Sequence, residues 1–170
     1  MSKPFTLSLF LAFVTAFGCS QAPDGFPKVV PCTITVTDNG QPVSAASVMI
    51  DTVPATPSLS VAAETNDQGK AVMFTFLGDY SASGVPVGKL VLTIFKEPEV
   101  PDMKNSAELD QMSPEKVQAY LAEIEAKRAK LPRIVPVELT DPKTSPLTMD
   151  AAAGKKIDWQ VKLEDYRGIR

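Results

Sequence analysis

Few residues of this chain can do chemistry. It has two cysteines, Cys19 and Cys32, and no histidine. Without histidine there is no Ser-His-Asp or Cys-His arrangement and no histidine-ligated zinc or copper site. A catalytic Cys32 would lack the base that activates a thiol. Carboxylate chemistry remains, but the acidic residues show neither a calcium motif nor a paired-carboxylate glycosidase motif. The sequence therefore predicts a protein that is not an enzyme and holds no cofactor or metal.

The best candidates for oxygen ligands occur in two short segments, Asp38-Asn39-Gly40 and Asn66-Asp67-Gln68-Gly69. They lack the dense ligand spacing of an EF-hand loop. Asn, Asp and Gly are also the residues that tight turns require, because they tolerate positive φ or bond their own backbone. We interpret both segments as turns.

The position of Cys19 indicates modification rather than catalysis. A basic residue, Lys3, precedes an apolar run over residues 5–17, and Gly18 and Cys19 follow. The run is shorter than the roughly 20 apolar residues of a membrane-spanning helix, and it has the order of an export signal. Residues 1–18 are predicted to be a signal peptide.

The junction Ala16-Phe17-Gly18-Cys19 resembles the bacterial lipobox, in which a small residue precedes a cysteine that is acylated and becomes the mature N-terminus. The usual pattern has Leu three residues before the cysteine and a small residue two before. Ala16 and Gly18 also suit an ordinary signal peptidase, which cuts at the same bond. We predict cleavage between Gly18 and Cys19 and lipidation of Cys19. By analogy with lipoprotein sorting, Ser20 favours the outer membrane.

Two alternatives follow for Cys32. If Cys19 carries lipid, Cys32 is an unpaired thiol buried as a small hydrophobe. If Cys19 is not lipidated, a Cys19–Cys32 disulfide becomes available. The chain after residue 18 has a net charge of about −4, since the whole chain has −3 and the signal contains Lys3 and no acid. Such mild acidity gives no electrostatic reason to expect nucleic-acid binding.

Residues 19–29 are rich in Pro and Gly and are predicted to form a tether from the membrane anchor. Residues 30–165 have the length and patterning of one β domain. Alternation places Cys32, Ile34 and Val36 inward on a first strand. Later strands are predicted over 46–53, 59–65, 70–76, 89–96, 147–149 and 157–163. The strand over 70–76 is predicted to point Val72, Phe74 and Phe76 inward. Residues 77–84 are predicted to be an exposed loop. Trp159 is predicted in the core.

One amphipathic helix is predicted at about 113–130, with Ser113 as N-cap and Pro114 at the first helical position. Residues 97–112 before it are predicted to be a polar loop. We interpret the helix as packed on or beside the sheets; the alternative is an exposed, partner-binding helix. Its apolar stripe consists of Val117, Tyr120, Leu121, Ile124 and Leu131.

Four segments carry a family resemblance, and the first two are centred on turns. The run from Thr35 to Val48 resembles the "V-x-x-x-G-x-P-V-x-x-A-x-V" opening of carboxypeptidase regulatory-like domains, also called transthyretin-like or prealbumin-like sandwiches. The run from Thr65 to Ala71 matches their "T-D-x-x-G-x-A/F" turn. Pro86 to Ile94 resembles their "P-x-G-x-Y-x-V-x-V" strand, and Asp141-Pro142-Lys143-Thr144-Ser145-Pro146-Leu147 resembles the tail of small bacterial lipoproteins of this type. The resemblance implies a fold and little about activity.

The C-terminal residues 166–170 are predicted to be a charged tail. Tyr166-Arg167-Gly168 resembles the Tyr-Arg-Gly-Ser ending of hydroxyisourate hydrolases, but Ile169 replaces the serine and those enzymes also use histidines. The activity is therefore not expected here.

Together the patterns predict a mainly β protein, an antiparallel immunoglobulin-like or prealbumin-like sandwich of about seven strands with one inserted amphipathic α-helix. The expected function is that of an exported, lipid-anchored cell-envelope protein, facing the periplasm or the exterior, whose sandwich is a structural or protein-interaction module. The expected partners are the membrane, through Cys19, and an envelope protein. The alternative is a carbohydrate- or peptide-binding module, for which Tyr80, Trp159, Tyr120 and Tyr166 are the available aromatic platforms.

Overall fold

The structure is a computed structural model that describes residues 22–101 and 103–168. The predicted signal peptide and the Gly18–Cys19 junction lie outside the described residues. In the described ranges the chain forms twelve strands: β1 Val29–Val30, β2 Cys32–Asp38, β3 Gln41–Pro42, β4 Ser47–Val53, β5 Leu59–Glu64, β6 Lys70–Val72, β7 Phe74–Leu77, β8 Tyr80–Ser83, β9 Val85–Pro86, β10 Gly88–Phe95, β11 Thr148–Ala151 and β12 Ile157–Lys162.

Two sheets dominate the fold. One has six antiparallel strands in the order β11-β10-β4-β5-β7-β8. The other has four strands, with β12, β2 and β3 in order and β6 also paired to β2. A two-stranded ribbon of β1 and β9 accompanies them. The mainly β, antiparallel sandwich is confirmed, with one exception: β12 runs parallel to β2 over six residue pairs.

One buried cluster joins the two sheets. The predicted inward residues of β2 are buried, as are Val48 and Ile50 of β4 and Leu90, Leu92 and Ile94 of β10. Val161 and Leu163 contribute from β12 and the residue after it. These residues form one hydrophobic core, and Trp159 is partly buried against it. The alternation predicted from sequence is therefore the pattern that burial follows on these strands.

The prediction of about seven strands is too low, because the segment 70–76 is divided. β6 pairs with β2 in one sheet, and β7 pairs with β5 in the other, so the chain changes sheet at Met73. The three short strands β1, β3 and β9, of two residues each, add to the number. Strands of two residues are too short to show a periodic pattern in the sequence.

The predicted face of this segment is also wrong. Ala71, Met73 and Thr75 are buried, whereas Val72, Phe74 and Phe76 are exposed. The turn before β6 sets this register, since Val36 N–H donates to Gly69 O and Ala71 then lies opposite Ile34. A shift of one residue exchanges the two faces of a strand, so the turn outweighs the hydrophobicity of the phenylalanines.

The expected loop over 77–84 contains a strand instead. β8 pairs with β7 from Leu77↔Tyr80 to Phe74↔Ser83 around a turn at Gly78, where φ is +57°. Apart from Tyr80, its residues Ser81, Ala82 and Ser83 have little β propensity. The strand forms because the backbone N–H and C=O groups of β7 pair with it. The intrinsic propensities of its own residues do not predict that pairing.

Two α-helices lie between β10 and β11, α1 at Ser106–Leu109 and α2 at Pro114–Arg128. α2 confirms the predicted helix, with Ser113 at the N-cap and Pro114 at the start, and Ile124 is its buried residue. Leu121 of the predicted apolar stripe is half exposed. α1 was not predicted, although Asn105 and Glu108 form a capping box, a pattern that three-residue spacing can reveal. Two 3₁₀ helices follow, at Val137–Leu139 and Leu163–Tyr166.

Candidate functional site

The predicted site residues divide between two parts of the chain. Gly18 and Cys19, the cleavage and lipidation positions, lie outside the described residues. Cys32 lies on β2 and, within the described ranges, is a free and buried thiol. Burial, with a smaller contribution from the charge of Asp158, raises the pKa of the Cys32 thiol to about 11. A thiol with so high a pKa is protonated at neutral pH and is a poor nucleophile.

Each of the four aromatic residues named as binding platforms already contacts protein. The Tyr80 ring meets the Phe26 ring edge-on, with centroids 4.7 Å apart. The Tyr120 hydroxyl accepts a hydrogen bond from Lys104 N–H at 2.7 Å. Trp159 and Tyr166 pack against the core.

The two acidic turns use their oxygens for hydrogen bonds within the protein. Asp38 accepts from the side chains of Asn39 and Arg167. Asn66 Oδ1 accepts from Gln68 N–H and Lys70 N–H, both at 3.0 Å. These are the bonds of an Asx turn. In residues 22–101 and 103–168 no group of three or more His, Cys, Asp or Glu side chains is placed to hold a metal ion.

A cavity of about 350 Å³ lies where the C-terminal end of α2 meets the end of β10. We call it the helix–sheet cavity. Its apolar lining comes from five residues, Phe95, Pro98, Ala129, Leu131 and Val135, and its ionic lining from five, Lys96, Glu97, Glu125, Arg128 and Arg133. Sequence reasoning did not find this site, because the residues come from four separate segments that only the fold brings together.

Ion pairs hold the helix to the strand at this cavity. Arg128 Nη1 lies 3.0 Å from Glu97 Oε2, which follows β10, and 2.7 Å from Glu125 Oε1 on the same helix. Lys96 Nζ donates to the carbonyl of Ser44 and lies 4.0 Å from Glu99 Oε1. The Arg128 Nε atom is buried and has no hydrogen-bond partner among the described residues. A buried donor without an acceptor is uncommon in folded proteins.

An apolar row crosses the outer face of the six-stranded sheet. Met49 of β4 pairs with Ala62 of β5, which pairs with Phe74 of β7, so the three side chains share one face. Phe76 lies two residues along β7, with its ring centroid 6.4 Å from that of Phe74. Met49, Phe74 and Phe76 are 50%, 40% and 39% exposed. We call these four residues the apolar row.

The C-terminal Tyr166-Arg167-Gly168 is attached to the domain. Arg167 Nη2 lies 2.7 Å from Asp38 Oδ2. Asn39 N–H donates to Glu164 Oε2 at 3.0 Å. The turn after β2 is thus joined to the second 3₁₀ helix, and the arrangement is a structural link between two segments far apart in the chain.

Comparison with protein-family models, with curated proteins and with solved structures gives no match. Among the described residues, no helix is both long enough and apolar enough to cross a membrane.

Proposed function

We propose that this protein is an exported, lipid-anchored component of the bacterial cell envelope whose β-sandwich serves as a structural and protein-interaction module without enzymatic activity. The anchor is Cys19, after cleavage of the Gly18–Cys19 bond. The proposal places the protein at the outer membrane, facing the periplasm or the exterior. The resemblance of the turn segments to carboxypeptidase regulatory-like domains is part of the same proposal.

The apolar row is the observation that carries the interaction role. Large side chains at the centre of a sheet face are usually covered or replaced by polar ones, whereas three of this row are at least 39% exposed. Contiguous exposed apolar surface marks a protein–protein contact more often than isolated exposed residues do. Burial of that surface by an envelope protein would supply the free energy of association.

The anchor is tested by intact-mass spectrometry of the protein extracted from membranes. A mass that begins at Cys19 and includes a diacylglyceryl group supports the proposal, and a Cys19→Ser variant should lose both the added mass and the membrane association. An unmodified mass beginning at Cys19 and lighter by two hydrogens would indicate a Cys19–Cys32 disulfide and would overturn the lipid anchor.

The interaction role is tested by crosslinking in the intact envelope. A photoreactive residue at Ser60, which pairs with Phe76 across β5 and β7, should give a discrete adduct. The Phe74→Ser and Phe76→Ser variants should weaken that adduct, because they remove the apolar surface while leaving the core unchanged. Val137→Ser is the matched control, since Val137 is also an exposed apolar residue but lies outside the row. An adduct that survives both phenylalanine variants would contradict the role of the row.

A further inference from the structure

We propose that the helix–sheet cavity binds a monocarboxylate with an apolar body. That chemistry is shared by two sources, the C-terminal apolar residue of a peptide and a short-chain fatty acid. The inference deepens the proposed interaction function by naming the chemistry of a ligand, and it rests on that function only for the compartment in which the ligand is met.

The shape and lining of the cavity fit a small apolar body. Its volume of about 350 Å³ falls within the range of roughly 300–1,000 Å³ that is usual for small-molecule sites. Phe95 lies at its edge and is half exposed, and Leu131 is partly exposed. Pro98 and Val135 complete the apolar lining. A ligand that covers these side chains removes apolar surface from water, which favours binding.

One cation of the cavity lining has no anionic partner among the described residues. Three cations and two carboxylates line the cavity. Both carboxylates, Glu97 and Glu125, are engaged by the same nitrogen of Arg128. Lys96 donates to the carbonyl of Ser44 and pairs with Glu99. The remaining cation, Arg133, has no hydrogen bond or ion pair with any residue of the described ranges. Its guanidinium is therefore available to a carboxylate, the partner that it binds best.

The unpaired donor of Arg128 provides a second, independent reason for an oxygen acceptor. The two glutamates occupy Nη1, and the buried Nε has no acceptor among the described residues. The Nε–H group is buried from solvent, so a ligand oxygen reaches it only when the Arg128 side chain shifts on binding. A carboxylate has two oxygens with several lone pairs and can accept from a guanidinium N–H group. With that shift, a bound carboxylate would satisfy a donor that the unliganded fold leaves unsatisfied.

The test uses the purified full-length protein at low ionic strength and four probes: acetyl-Ala-Leu, its C-terminal amide, hexanoate and hexanamide. Isothermal titration calorimetry should detect binding of at least one carboxylate. The matching amide should bind about tenfold more weakly or worse, because a hydrogen bond to a charged group is lost. Raising the salt concentration should weaken carboxylate binding. The tighter of the two carboxylates identifies the source that the cavity prefers.

Variants connect binding to the cavity. Arg133→Gln should weaken carboxylate binding about tenfold without affecting folding, because Arg133 is exposed and makes no contact that a fold depends on. Lys155→Gln is the matched control: it removes the same charge from an exposed turn that does not line the cavity, and it should leave binding unchanged. Ala129→Phe, at an exposed cavity-lining position, should fill the space and abolish binding while the melting temperature is retained.

Three results would overturn the inference. They are no binding of either carboxylate, equal binding of carboxylate and amide, or equal loss in the Arg133→Gln and Lys155→Gln proteins. The first two would show that the cavity does not select an anion, and the third that only overall charge matters. None of these results bears on the lipid anchor, which is tested separately by the mass measurement.

Discussion

Thr65 and Ala46 exchange two hydrogen bonds across the start of the six-stranded sheet. Ala46 N–H donates to Thr65 Oγ1 at 2.8 Å, and Thr65 N–H donates to Ala46 O at 2.9 Å. The Thr65 hydroxyl in turn donates to Val43 O at 2.7 Å. Thr65 is only 3% exposed, so no water replaces these partners. Thr65, just before the turn at residues 66–69, therefore fixes the segment from Val43 to Ala46, which follows the turn at residues 38–40.

We expect Thr65→Val to destabilise the protein by about 3 kcal/mol, because it keeps the shape but leaves a buried N–H and a buried carbonyl without partners. Thr65→Ser is the control. It keeps the hydroxyl and removes one methyl group, at a cost of about 1 kcal/mol. Urea unfolding of the three proteins measures both values, and equal losses in the two variants would show that the methyl group rather than the hydroxyl matters.

Gly69 and Gly40 have nearly the same backbone conformation, with φ of +70° and +76°, but different surroundings. A Cβ on Gly69 would overlap the carbonyl oxygen of Val36, whereas a Cβ on Gly40 meets nothing within 4 Å. Gly40→Ala should therefore cost only the conformational penalty of about 1–2 kcal/mol. Gly69→Ala should cost at least ~1 kcal/mol more, since the strand must also move. Thermal unfolding of the two variants gives the comparison, and similar melting temperatures would contradict it.

The ion pair between Arg167 and Asp38 joins residues that are 129 positions apart. Their side chains are 45% and 23% exposed, so solvent screens the attraction only in part. A double-mutant cycle with Asp38→Ala and Arg167→Ala should give a coupling energy of about 0.5–1 kcal/mol.

The matched pair is Lys156 and Asp158, at 3.1 Å, whose side chains are 63% and 62% exposed. Its coupling energy should be near zero, because exposed pairs contribute little. A larger coupling in this exposed pair than between Arg167 and Asp38 would show that burial does not control the strength of these ion pairs.

The buried Cys32 thiol predicts how stability changes at alkaline pH. Burial raises the pKa of this group from 9.0 to about 11, so the unfolded chain loses the proton first. The stabilisation is complete below pH 9 and is lost as the pH rises towards 11. The difference in unfolding free energy between the native protein and Cys32→Ala should shrink over that interval. A difference independent of pH would contradict the raised pKa.

The same burial predicts slow chemical modification. Iodoacetamide should alkylate the Cys32 peptide slowly in the native protein and quickly in urea, as followed by mass spectrometry of the digested protein. The contrast arises because only the thiolate reacts, and the folded core disfavours its charge. Rapid alkylation under native conditions would show that Cys32 is accessible.

Two carboxyl groups of α2 predict how stability changes at low pH. Lys127 lowers the pKa of the Glu123 carboxyl, with Nζ 2.7 Å from Oε1. The backbone N–H of Glu115, and after it the Ser113 hydroxyl, lower the pKa of the Glu115 carboxyl. Both groups favour the fold above their unfolded pKa values, and this contribution is lost as the pH falls through the lowered ones. Each side chain is exposed, so the effect on stability is small.

Residue patterns determined the fold class and most strand positions. Alternation over β2, β4 and β10 placed the correct residues in the core, and the Ser113-Pro114 start located α2 to within a residue or two. These predictions succeed because periodicity of two or of 3.6 residues follows from local backbone geometry. The apolar run before Cys19 likewise indicated export and modification from local order, although that prediction lies outside the described residues.

Tertiary structure decided what local patterns do not contain. The register at Gly69 turned Val72, Phe74 and Phe76 outward, although their hydrophobicity indicated the core. The parallel pairing of β12 with β2 and the strand β8 depend on which neighbouring backbone lacks a partner. The helix–sheet cavity combines Phe95, Arg128 and Arg133 from separate segments. Burial, pairing and charge balance are properties of the whole packed chain, and they alone brought these residues together.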